Sequence, residues 1–162
     1  MPTGRLCEAC RSNTRGLGSF GGQRESCAAR EKAIPASILI ADDDPNILRA
    51  LTFLMQREGH EVRTATDGQQ ALAAVADAVP DVLLLDLMMP RGNGYEVCRT
   101  LRASTDYDGV RIVMLTARGG DADQHIGLEL GADAYVTKPF AIAEVIDCVA
   151  AVLARPRPPG RG

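Results

Sequence analysis

Residues 82–90 read Val82-Leu83-Leu84-Leu85-Asp86-Leu87-Met88-Met89-Pro90, and the reading of this stretch decides the fold. Val82 to Leu85 form an unbroken apolar run with no polar alternation. Such a run describes a strand covered on both faces, as in a parallel sheet flanked by helices. Asp86 stands directly at the end of that strand. Pro90, Gly92 and Gly94 then mark a loop.

The same grammar repeats outward in both directions. Upstream, order begins at Ser37, and Ile38-Leu39-Ile40-Ala41 is another continuous apolar run (β1). Asp42-Asp43-Asp44-Pro45 ends it. Asp44 suits a helix N-cap and Pro45 the first helical position. Ile47, Leu48, Leu51, Leu54 and Met55 then mark one face of a helix (α1), which Gly59 stops. Residues 61–65 alternate polar and apolar, which predicts an edge strand (β2). An Ala-rich helix (α2) spans 67–78, and Pro80 closes it before the deciding strand (β3, 82–85).

Downstream, a helix runs over 94–103 (α3) and a strand over 110–115, ending at Thr116 (β4). A helix follows over 122–130 (α4). Ala134-Tyr135-Val136 is a short strand ending at Lys138-Pro139 (β5). Ile142, Val145, Ile146, Val149, Val152 and Leu153 recur at helical spacing (α5). Five βα units predict an α/β fold of (βα)5 type. It is a three-layer sandwich with a five-stranded parallel sheet, right-handed crossovers and the flavodoxin-like strand order 2-1-3-4-5. That order puts β2 at an edge and sets β1 beside β3 at the topological switch point, where such sheets bind ligands.

Of the 162 residues, 46% are hydrophobic and 24% charged, with a net charge of −3. This balance is ordinary for a globular domain with a sizeable core. It leaves no basic footprint for nucleic acid. No apolar stretch is long enough to span a membrane. Arg5, Glu8, Arg11 and Arg15 interrupt any signal-peptide core, so the expected location is the cytoplasm. Residues 1–36 are rich in Gly, Arg and Ser without helical or strand period. They read as a disordered extension, or as translated upstream sequence if the true start lies later. Residues 155–162 read as a Pro/Arg-rich flexible tail after a domain over 37–154.

The five cysteines are Cys7, Cys10, Cys27, Cys98 and Cys148. Their odd number and uneven spacing do not describe a secreted disulfide framework. Cys7 and Cys10 form a CxxC pair. It reads either as half a zinc site or redox pair, or as incidental thiols in the extension. With only Cys27 following nearby and no local histidine, the second reading is preferred.

The polar residues at the strand ends carry the chemistry. Asp42 and Asp43 end β1, Asp86 ends β3, Thr116 ends β4 and Lys138 ends β5. The predicted strand order gathers all of them at the carboxyl edge of one sheet. Converging carboxylates repel one another, and a hard divalent cation relieves this. Mg²⁺ suits the donor set, with Mn²⁺ as a substitute. The plainer alternative is that strand-end aspartates cap helices, a role assigned here to Asp44. A carboxylate can attack phosphorus and form an aspartyl-phosphate. Phosphoryl transfer needs mainly positioning and charge neutralisation. Lys138, the Thr116 hydroxyl and backbone N–H groups in the 86–90 loop are suited to both.

Residues 37–153 resemble the receiver domain of bacterial two-component response regulators, in its single-domain, chemotaxis-receiver-like form. The resemblance rests on Ile38-Leu-Ile-Ala-Asp-Asp-Asp-Pro45, on Leu83-Leu-Leu-Asp-Leu-Met-Met-Pro90 with Gly94 and Glu96, on Val113-Met-Leu-Thr-Ala117, and on Gly131-Ala-Asp-Ala-Tyr-Val-Thr-Lys-Pro-Phe140. It implies that Asp86 is the phosphoacceptor. The implied metal ligands are Asp43, Asp86, the backbone carbonyl of Met88 and, through water, Asp42. Thr116, Ala117 and Lys138 would bind the phosphoryl group. Thr116 and Tyr135 would form the switch, and Lys138-Pro139 would be a cis peptide. For Tyr135, plain strand packing is the alternative.

The resemblance further implies a signalling switch that catalyses only its own phosphorylation and dephosphorylation. The phosphodonor would be a histidine kinase or histidine phosphotransfer protein. The face of α4, β5 and α5 would bind an output protein or a second copy of the chain, without direct nucleic-acid or membrane binding. Met88 and Arg118 occupy positions that tune hydrolysis of the phosphoryl group, and a Met cannot orient water, so slow self-dephosphorylation is expected. Gly127 departs from the alanine common in the fourth helix.

Three alternatives stand beside this reading. The chain could be the receiver portion of a longer regulator. It could be an aspartyl-nucleophile phosphatase, although those enzymes usually carry a second acid where Met88 stands. It could also be a constitutive binding module.

Overall fold

The structure of the chain, a computed structural model, describes residues 34–117 and 129–156. The readings for residues 1–33 (with Cys7, Cys10 and Cys27), for Arg118, Gly127 and most of α4, and for 157–162 lie outside the described residues.

The described elements are β1 (Ser37–Ala41), α1 (Pro45–Arg57), β2 (Glu61–Ala65), α2 (Gly68–Asp77), β3 (Val82–Asp86), α3 (Gly94–Ala103), β4 (Arg111–Thr116), β5 (Ala134–Thr137) and α5 (Ile142–Ala154). The five strands form one parallel sheet in the order β2-β1-β3-β4-β5. β3, β4 and β5 each reach one residue further than their apolar runs, to Asp86, Thr116 and Thr137. Ladder pairing uses only the backbone, so a polar side chain at the sheet edge does not end it.

The unbroken apolar runs are explained by two cores, one on each face of the sheet. Leu39, Ala41, Leu83, Leu85, Ile112 and Met114 point to one side, where Ala71 and Val75 of α2 and Val97, Cys98 and Leu101 of α3 cover them. Ile38, Ile40, Val82, Leu84, Val113 and Leu115 point to the other, under Leu48, Leu51 and Met55 of α1 and Val145, Val149 and Val152 of α5. Successive strand side chains alternate faces, so a strand buried on both sides must be apolar at every position. β2 pairs only with β1 and exposes Glu61 and Thr64, one on each face, as an edge strand can.

Local signals set the helix ends. The Asp44 side chain accepts from the Asn46 N–H at 2.8 Å and caps α1, with Pro45 in its first turn. After α1 the chain reverses at Gly59, whose φ of +94° is the left-handed conformation that favours glycine. The C-terminal end of α2 is capped from outside: Arg63 of β2 donates to the carbonyls of Ala74 and Ala78. A single 3-10 turn over Thr105–Tyr107, not anticipated in the sequence, links α3 to β4.

Residues at both ends of the domain are also anchored. Ala36, assigned above to the extension, is buried. Its N–H donates to His60 Nδ1 at 3.3 Å and its carbonyl accepts from Glu61 N–H at 2.9 Å. Arg155, assigned to the tail, donates to the Asp133 carbonyl at 3.0 Å. Among the described residues, no helix is long and apolar enough to cross a membrane.

Candidate functional site

The register of the sheet builds the site. Ala41 lies beside Leu85, Asp86 beside Leu115, and Thr116 beside Thr137. Asp42, Asp86, Thr116 and Lys138 therefore come to neighbouring positions on the carboxyl edge, although they are spread over almost a hundred residues of chain. Asp42 is fully buried, Asp86 is 3% exposed and Thr116 is buried. Asp43 is exposed. One carboxylate oxygen from each of Asp42, Asp43 and Asp86 lies within 4.8 Å of the others.

Backbone groups fix two of these carboxylates. The Asp44 N–H donates to Asp42 Oδ1 at 2.9 Å, and the Met88 N–H donates to Asp86 Oδ1 at 3.3 Å. Asp44 thus serves the site as well as α1, a double role that its N-cap signal did not disclose. Lys138 Nζ donates to Asp42 Oδ2 at 2.9 Å and stands 3.4 Å from Asp86 Oδ1. Its nearer partner in this state is therefore Asp42. The Lys138 N–H donates to the Thr116 carbonyl at 2.6 Å, and the Lys138-Pro139 peptide is cis.

The electrostatics follow from this crowding. Burial, then the Asp42 charge, push the Asp86 carboxyl above its usual pKa, against the opposing pull of Lys138 and the Met88 N–H. Burial works against the charged form of Lys138. The hydrogen bond and charge of Asp42, reinforced by Asp86, outweigh it and raise the Lys138 pKa overall.

The remaining candidates lie around this centre. Ala117 is exposed at the end of β4. The Met88 side chain is 73% exposed and turns away from the core, between the buried side chains of Leu87 and Met89. Tyr135 is half-buried and packs against the core on the α2 and α3 side of the sheet. The donor set suits a hard divalent cation. Three carboxylates supply oxygen ligands, one of them exposed, and a single lysine supplies the only ion pairs to them among the described residues.

One structural contact had no sequence signal. Arg102 of α3 donates to the carbonyls of Gly131, Tyr107 and Val110 and pairs with Asp133 at 2.9 Å, just before β5. An arginine in a helical pattern reads as a solvated face, and nothing nearby in the chain marks its partners.

A family model described as the response regulator receiver domain matches residues 38–150. The DNA-binding response regulator MtrA of Mycolicibacterium smegmatis is 49% identical over 118 residues, covering 73% of this chain and 50% of that protein. The sensory transduction protein RegX3 of Mycobacterium tuberculosis is 45% identical over 119 residues, covering 74% of this chain and 51% of that protein. The chain therefore spans about half the length of the curated relatives it matches. Among solved structures, the chemotaxis response regulator CheY4 of Vibrio cholerae superposes with a TM-score of 0.70 at 31% identity, covering 74% of this chain and 99% of that one.

Proposed function

Since the chain belongs to the response regulator receiver family, we propose that it is the phosphoacceptor switch of a two-component phosphorelay and that Asp86 takes the phosphoryl group. The observation that carries this is the setting of Asp86. It is a buried carboxylate at the end of β3, grouped with Asp42 and Asp43 and 3.4 Å from the Lys138 ammonium.

An Asp86 carboxylate oxygen attacks the phosphorus of a phosphohistidine on a kinase or phosphotransfer protein. An O–P bond forms, the P–N bond breaks, and the imidazole leaves with the electron pair. Lys138 opposes the upward push of burial and Asp42 on the Asp86 carboxyl before transfer and lies close enough to pair with the phosphoryl oxygens afterwards. Thr116 and the backbone at Ala117 would hold those oxygens from β4. Asp42, Asp43, Asp86 and the Met88 carbonyl would hold Mg²⁺ or Mn²⁺, which when bound supplies the positive charge that lets three carboxylates and a phosphoryl group share one edge. Thr116 and Tyr135 would pass the change to the face of α4, β5 and α5, where an output protein or a second copy binds. A cytoplasmic location goes with this role.

The deciding experiment measures the intact mass of the protein after incubation with Mg²⁺ and a small-molecule phosphodonor. One added phosphoryl group is expected, absent without Mg²⁺ and absent in Asp86→Asn. An adduct that persists in Asp86→Asn would overturn the assignment.

One alternative is supported by the comparisons. The chain matches about half of each DNA-binding relative, so it reads equally as the receiver portion of a longer regulator, with the same chemistry at Asp86. The phosphatase alternative is disfavoured by Met88, which supplies no acid two residues after the nucleophile.

A further inference from the structure

The loop between β3 and α3 carries Met88, whose N–H donates to the Asp86 carboxylate. What seats this loop is a contact from another element. Gly68 opens α2, and a Cβ built on it would lie 2.3 Å from the carbonyl oxygen of Gly92, 2.9 Å from its carbonyl carbon and 3.1 Å from its Cα. All three atoms are backbone, so no rotamer change could make room. The first turn of α2 therefore rests directly on the loop, main chain against main chain.

The loop has no slack to adapt. Arg91 and Gly92 both have left-handed φ values, +51° and +103°. At the α3 end, a Cβ on Gly94 would come within 2.5 Å of the Asp86 carbonyl oxygen and 2.9 Å of Leu87 Cα. Between these two grips, Leu87 and Met89 are buried. A shift of Gly92 must therefore move the short segment that holds Met88 against Asp86.

Gly68 itself has no left-handed φ to explain it. Gly68 is the first residue after the Asp67 cap, and alanine is the better helix former, so helix propensity gives no reason for glycine there. The close approach to Gly92 is the reason the structure gives for it. We infer that Gly68 is a positioning residue of the phosphoryl site: its missing side chain sets the seat of the 87–93 loop, and through it the geometry of Met88 and Asp86. This rests on the phosphoacceptor reading.

The test compares Gly68→Ala with Ala73→Gly, an exposed position further along the same helix. Mg²⁺ affinity is read by calorimetry, and the Met88 and Leu87 amide resonances by NMR on the metal-free protein. Gly68→Ala is expected to shift those amides and to weaken Mg²⁺ binding about tenfold, the scale seen when the support of a metal ligand is lost. Ala73→Gly should lower the melting temperature and leave the affinity unchanged. Gly92→Ala disturbs the same loop from its own side through its φ of +103° and should weaken Mg²⁺ binding likewise.

Wild-type amides and affinity in Gly68→Ala would overturn the inference, as would an equal loss of affinity in Ala73→Gly. If Gly68→Ala does not fold in buffer, the same two readouts on the variant folded in sucrose, against wild type in sucrose, decide. If the wild-type chain binds no Mg²⁺ and takes no phosphoryl group, the phosphoacceptor reading fails, and the metal-free amide shifts still decide whether Gly68 seats the loop.

Discussion

The Lys138 ammonium donates to the Asp42 carboxylate at 2.9 Å, joining residues 96 apart in the chain, and Asp42 is fully buried. Removing one partner of a buried pair leaves the other charge uncompensated, here beside Asp86. Lys138→Met should therefore lower the metal-free stability by about 3 kcal/mol, and added Mg²⁺ should restore part of that loss. Urea denaturation with and without Mg²⁺ measures both effects. Equal stability of variant and wild type without Mg²⁺ would show that the pair contributes nothing net.

Arg102 ties α3 to the segments leading into β4 and β5 through three carbonyls and Asp133, and Asp133 in turn accepts from the Ile112 N–H at 2.8 Å. Lysine keeps the charge but cannot reproduce the planar fork. Arg102→Lys should cost about 2 kcal/mol, with faster hydrogen exchange at the Ile112 amide. Unchanged exchange there would mean that the clamp is dispensable.

His60 is buried and its Nδ1 accepts from the Ala36 N–H, which a neutral imidazole can do. Burial holds its pKa below the ordinary 6.5, against the opposing charge of Glu58. As pH falls below that ordinary value, the unfolded chain takes up the proton before the folded one does. The contribution of His60 to stability is thus complete above pH 6.5 and declines from there towards the folded pKa. Thermal melts from neutral pH downward should show a loss of stability in the wild type that is smaller in His60→Gln. Parallel curves for the two proteins would remove His60 as the cause.

Met88 is 73% exposed at the edge of the site, and its thioether is too weak an acceptor to orient an attacking water. The aspartyl-phosphate of the wild type is expected to be long-lived. Met88→Glu places a carboxylate there and should shorten that lifetime at least about tenfold, by general-base assistance. The decay of the phosphoryl adduct, followed by intact mass, gives both lifetimes. A wild-type adduct that decays within seconds would contradict the expectation.

Much of the fold was legible because its information is local. The apolar runs at 38–41 and 82–85 required strands covered on both faces, and the two cores on opposite sides of the sheet are the consequence. The Asp44-Pro45 pair and Gly59 bounded α1 because capping chemistry acts over a few residues. The alternation in 61–65 placed β2 at the edge. Asp42, Asp43, Asp86, Thr116 and Lys138 were legible as one group because each directly follows or ends a strand, and a parallel sheet aligns its strand ends.

Sequence alone therefore pointed to the layer architecture, the strand order and the gathering of Asp42, Asp43 and Asp86 at one sheet edge. Tertiary structure decided the relations within that frame: that Lys138 lies nearer Asp42 than Asp86, that Tyr135 packs toward α2 and α3, that Arg102 clamps the approach to β5, and that Gly68 presses on Gly92. The physical reason is range. Periodicity, capping and turn chemistry act between residues a few positions apart. Hydrogen bonds across the fold and the close approach of two backbones depend on where the packed cores bring distant segments, and no neighbour in the chain records that distance.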